Sequence, residues 1–164
     1  MKPKSPKAFI FYIIATTVLF LFLNTIRDLV IKNLVYLSAD ANPIFQIVYA
    51  ENSGAAFSMF ENFAKYFGYI GILAVLFMLF YVHQKILFEN KIMIIISVLF
   101  TAGVLGNTVE RLTLGYVIDY IKLSFINFPV FNLFDVMITI SIILYILYVL
   151  FGEDFFRRIR KKIW

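Results

Sequence analysis

In a chain where charge is scarce, two aspartates stand at the margins of long apolar runs: Asp119 in LGYVIDYIKL and Asp135 in FPVFNLFDVMITI. An acid near membrane depth is a functional candidate, because placing one at the centre of a span costs about 2.5 kcal/mol or more. Two carboxyl groups brought together at a dry interface cannot both ionise comfortably, so one keeps its proton while the other stays charged. Such a pair holds an acid and a base in one site. It could activate a water against a peptide carbonyl and then supply a proton to the leaving amine. The competing reading pairs each acid with a nearby cation, Asp119 with Lys122 or Arg111, and the spacing leaves both open.

Polar residues cluster around these acids. Asn107, Glu110 and Arg111 stand at i, i+3 and i+4, and Asn132 precedes Asp135 by three, so each set could share a helix face. The two Asn amides could orient the acids or hold a peptide backbone, and Arg111 could anchor a loop or a lipid phosphate. The plainer alternative is helix capping together with an interfacial Glu110–Arg111 ion pair. Asp28 and Lys32 are spaced i, i+4 in the order that favours a surface ion pair. Asn52 and Gly54 read as a turn. Other hydrolytic chemistries find little here: there is no Cys, no HExxH and no GxSxG, and a lone His83 leaves almost nothing to hold a metal. No metal and no cofactor are expected.

The elements that must position these residues follow from composition. Of 164 residues, 62% are apolar and 15% charged, which excludes both an ordinary soluble domain and a disordered tail. Runs of about 20 apolar residues predict four spans, at 8–26, 63–82, 92–109 and 133–151, within a single domain. The first follows Lys2, Lys4 and Lys7 like a secretory signal, but lacks a small-residue cleavage pattern and is read as an uncleaved anchor. Longer connections at 27–62 and 110–132 alternate with a short link. Ten of the fifteen cations lie in the N-terminal segment, in that link and in the basic tail 152–164. Both termini are therefore expected in the cytoplasm, with Asp119 and Asp135 at the opposite, outer face. The tail EDFFRRIRKKIW suits an anionic membrane surface, and nucleic acid is not an expected partner. NPIFQIVYAENSG reads as a short strand leading to a turn, so a small outer sheet is expected.

Taken in order, these residues resemble the lipoprotein signal peptidase family, the bacterial type II signal peptidases. The resemblance rests on Asp28 to Lys32, on Asn52-Ser53-Gly54-Ala55-Ala56-Phe57, and on Gly106-Asn107-Thr108-Val109-Glu110-Arg111. It continues through Gly115-Tyr116-Val117-Ile118-Asp119 and Phe131-Asn132-Leu133-Phe134-Asp135. It implies that Asp119 and Asp135 are the catalytic dyad, and that Asn52, Gly54, Asn107, Glu110, Arg111 and Asn132 support it or contact substrate. Asp28 and Lys32 match a polar pair near the first span. It further implies a fold of four spans with a small β-cradle and a short helix on the outer side. The implied activity is aspartic cleavage of the signal peptide from a prolipoprotein, just before its diacylglyceryl-modified Cys, by a cell-membrane enzyme that needs no cofactor.

Two residues depart from the family pattern. Glu110 stands where the family usually has Asp, with an ion pair to Arg111 within its reach. Phe134 stands where a small residue is common and is expected to reshape the pocket beside Asp135. The expected partners are lipid-modified prolipoproteins and membrane lipids, with the enzyme a monomer in the inner membrane. The rival is a non-catalytic four-span protein, a transporter subunit or scaffold, whose acids serve as an ion or proton site.

Overall fold

The computed structural model describes residues 6–34, 43–54, 63–84 and 91–163. Backbone amides in a bilayer find no water, so an apolar run must satisfy its own hydrogen bonds as a helix. Four helices do so: α1 (Pro6–Lys32), α2 (Ala64–Gln84), α3 (Lys91–Thr113) and α4 (Leu133–Ile163). Each contains a stretch long and apolar enough to cross a membrane. Two strands complete the described elements: β1 (Phe45–Asn52), between α1 and α2, and β2 (Val117–Leu123), between α3 and α4.

The helices run further than the apolar windows suggest. α1 continues past Ile26 to Lys32 and α3 past Val109 to Thr113, because the helical ladder persists after the residues turn polar. Gly152 interrupts α4 with φ 68° and ψ −175°, and the basic tail beyond it forms a second helical segment set off by a kink.

Helix α3 is the centre of the bundle and packs against α1, α2 and α4. Most of its buried residues are small or polar, among them Ser97, Thr101, Ala102, Gly103, Gly106 and Thr108, which lets neighbouring backbones approach closely. At Gly106 a Cβ would fall on the Phe134 ring, so only glycine makes room for that side chain. Tyr12 of α1 bonds Thr101 at 2.7 Å and ties the first helix to this core. Ile10, Phe11, Val18 and Phe22 face outward from α1, as a helix meeting lipid requires.

The strands pair antiparallel, with Phe45 opposite Leu123, Ala50 opposite Asp119 and Asn52 opposite Val117. Between Ile47 and Ala50 the register slips by one residue, a bulge in β1 that re-aims its second half. On the other edge of β2, Phe131 forms an isolated bridge with Ile121. That bridge brings the segment entering α4 alongside the strand that carries Asp119. The connections hold no separate short helix among the described residues, and residues 35–42 and 55–62 lie outside them.

Candidate active site

Asp135 comes from the first turn of α4, and the local sequence explains its pose. Asn132 caps the helix: its Oδ1 accepts the Asp135 N–H at 3.1 Å, while Asp135 Oδ2 accepts the Asn132 N–H at 3.1 Å. This reciprocal arrangement satisfies two amides at the helix start and fixes the Asp135 rotamer. Asn107 of α3 donates its Nδ2 to Asp135 Oδ1 at 2.7 Å.

Asp119 comes from the strand. Asn52, near it across the sheet, donates to Asp119 Oδ2 at 2.9 Å, and Asn132 Nδ2 donates to Asp119 Oδ1 at 2.9 Å. Asn132 also donates to Asn107 Oδ1 at 3.1 Å. A single buried amide therefore links both acids and the third Asn, and the direction of every bond fixes which way the amides face. Asn52 closes the arrangement on its own side by accepting the Gly54 N–H at 3.2 Å.

Asp119 is only 2% exposed. Burial is the largest influence on its carboxyl and disfavours the charged form. The Asn52 bond opposes this, the charge of Asp135 adds to it, and the Asn132 bond and Arg111 oppose it. The balance lifts Asp119 from 3.8 to about 6. Asp135 thus lies close enough for its charge to be felt at Asp119.

Both acids open into a cavity of about 700 Å³. Its polar end holds Asn52, Gly54 and Arg111, and its apolar wall includes Phe128, Val136 and Ile140. That combination, an apolar trough ending in a few convergent polar groups, suits a ligand with a greasy body and a reacting polar bond. Arg111 reaches the Gly54 carbonyl at 3.5 Å and lies over the Phe67 ring, 5.9 Å from its centroid.

Three local expectations need correction. Glu110 does not pair with Arg111: it is 1% exposed, its Oε1 meets Arg27 Nη1 of α1, and its Oε2 accepts the Ile118 N–H at 2.7 Å. Successive residues on a helix point about 100° apart, so Glu110 turns inward while Arg111 faces the cavity. Asp28 is held by Arg27 at 2.8 Å in place of Lys32, and neither Asp28 nor Lys32 lines the cavity. Phe134 does not shape the pocket; it is 2% exposed, seated against Gly106, with its ring stacked on Phe20 at 6.4 Å. Asn107 and Asn132 lie behind the acids and do not line the cavity itself. Arg27 went unnoticed in the sequence, although a lone cation one residue before Asp28, at the end of an apolar run, was a signal. Ala55, Ala56 and Phe57, the rest of the turn motif, lie outside the described residues.

The sequence model for Signal peptidase (SPase) II matches residues 9–151. The chain belongs to that family. Among similar proteins, the lipoprotein signal peptidase of Streptococcus thermophilus (strain CNRZ 1066) is 34% identical over 112 residues, covering 68% of this chain and 71% of that protein. The lipoprotein signal peptidase of Clostridioides difficile (strain 630) is 33% identical over 128 residues, covering 76% and 84%. A bacterial membrane enzyme structure determined by the in meso method at 2.3 Å resolution has the same fold, with a TM-score of 0.73 over 85% of this chain and 87% of that one, at 24% identity. Membership in the signal peptidase II family makes this chain a protease, and its four spanning helices make it a multi-pass membrane protein.

Proposed function

We propose that this signal peptidase II cleaves prolipoproteins just before the diacylglyceryl-modified Cys, using Asp119 and Asp135 as an aspartic dyad. The observation that carries the reading is the shared Asn132, whose side chain and backbone amide hold one oxygen of each acid at the mouth of one cavity. Burial favours the neutral form of Asp119, so the acid's role is assigned to Asp119 and the base's to Asp135. Asp135 takes a proton from water as the water oxygen bonds to the scissile carbonyl carbon. The Asp119 O–H donates to the carbonyl oxygen meanwhile. When the tetrahedral intermediate collapses, the C–N bond breaks and the amine of the lipidated Cys leaves with a proton from the dyad.

Asn52, Asn107 and Asn132 hold the acids, and Arg111 with Gly54 bounds the polar end where a peptide backbone would lie. Phe128, Val136 and Ile140 offer the apolar wall for acyl chains or the signal helix. The distribution of Lys and Arg supports cytoplasmic termini and a site at the outer face of the inner membrane, where a lipid-anchored substrate presents its cut. One copy of the chain suffices for this chemistry, since both acids and their supports among the described residues come from it.

The test is substrate-directed. Purified enzyme is given the same precursor with and without its diacylglyceryl group, and products are read by mass spectrometry. Cleavage of the lipidated form alone, with the lipidated Cys at the new N-terminus, is expected. Equal cleavage of both forms, or a cut elsewhere, contradicts the proposal.

A further inference from the structure

Glu110 is the most deeply buried acid of the described chain, and its carboxylate bonds Arg27 and the Ile118 N–H, with no hydrogen bond to either catalytic candidate. Both of its oxygens are committed, Oε1 to Arg27 and Oε2 to the Ile118 N–H. Ile118 immediately precedes Asp119 on β2, and its N–H points to the strand edge away from β1, as does that of Tyr120, which bonds Phe131 at 3.0 Å. Glu110 thus fastens the strand to α3 one residue from the acid.

A carboxylate removed from water needs a cation, and removing one partner of a buried pair leaves an uncompensated charge. The cation comes from α1: the Arg27 side chain is 16% exposed and reaches Glu110 across 83 positions of sequence, while its other nitrogens hold the exposed Asp28. The next cation available to Glu110 is its chain neighbour Arg111, which lines the cavity. Without Arg27, Glu110 would be drawn toward Arg111. It would release the Ile118 amide and pull the guanidinium from the Gly54 carbonyl.

We infer that Arg27 is a positioning residue for Asp119, acting through Glu110 and the Ile118 amide to set the strand at the depth the dyad requires. The inference rests on Asp119 being a reacting group. A misplacement of about 1 Å can cost about 10²-fold in rate, so small movements of β2 should register in kcat.

The experiment compares wild type, Arg27→Met, Glu110→Gln and the double variant on a lipidated precursor, separating kcat from KM. Hydrogen exchange at the Ile118 amide is followed in parallel. Arg27→Met should lower kcat about tenfold or more with little change in KM, and should speed exchange at Ile118. Gln still offers an oxygen to the Ile118 N–H but needs no cation, so the double variant should recover most of the wild-type kcat and protection. If Arg27→Met fails to fold, the double variant carries the test alone, since it buries no unpaired charge. Wild-type kcat and exchange in Arg27→Met, or a double variant as slow as Arg27→Met, would overturn the inference. Cleavage by Asp119→Asn would instead remove the reading beneath it, whatever the Arg27 variants do.

Discussion

The burial of Asp119 makes a quantitative prediction for stability. Its carboxyl rises from 3.8 to about 6, about two units, and at about 1.4 kcal/mol per unit the folded state disfavours the charged form by about 3 kcal/mol. Because the folded value is the higher one, the wild-type protein keeps its full stability from this group below about pH 4. It loses that contribution as pH rises to about 6, and above that the loss is complete. Asp119→Asn removes the ionisation. It also turns an N–H toward Asn52 or Asn132, both of which donate to Asp119, at a pH-independent cost of about 1–3 kcal/mol. At pH 4 the variant should therefore be the less stable protein. Between pH 4 and 7.5 it should gain about 3 kcal/mol on wild type, which at this size is about 6–12 °C in Tm. Thermal unfolding in one detergent, followed by Tyr and Trp fluorescence at several pH values, measures the difference. A gap between the two proteins that does not change with pH, or one that widens against the variant as pH rises, would refute the reasoning.

Two further outcomes follow from the packing around the site. Gly106→Ala places a methyl group on the buried Phe134 ring and should cost about 1–3 kcal/mol. Phe134→Ala in the same chain should give a double variant less destabilised than the two single losses combined, whereas strictly additive Tm shifts would mean the two residues do not meet. Asn132→Ala removes the cap of α4 and the amide shared by the acids. It should cost about 1 kcal/mol of stability but about 10²-fold in kcat, and a variant cleaving at the wild-type rate would show that the amide does not orient the dyad.

Much of the fold could be read directly from the chain, because bilayer thickness converts apolar run length into helices with little ambiguity. Strand β1 was visible between its Pro43 turn and Gly54. Strand β2 was not: Val117 to Tyr120 are all buried, so the alternation that marks a half-buried strand is absent. The acids announced themselves by rarity in an apolar chain, and the spacing of Asn132 and Asp135 matches the capping geometry they adopt. What stayed hidden concerns direction and distance. Sequence proximity suggested Glu110 with Arg111 and Asp28 with Lys32, yet Arg27 takes both acids, one of them across 83 positions. Phe134 and Asp135 are neighbours in sequence, but about 100° of helix rotation sends the ring into the bundle and the carboxyl to the cavity.

In the proposed mechanism, cleavage by this chain requires both carboxyl groups of the dyad. Single-turnover cleavage of a lipidated precursor by wild type, Asp119→Asn and Asp135→Asn, each shown to be folded and membrane-inserted, measures it. Loss of cleavage in both variants is the predicted result. A normal rate in either one would contradict it.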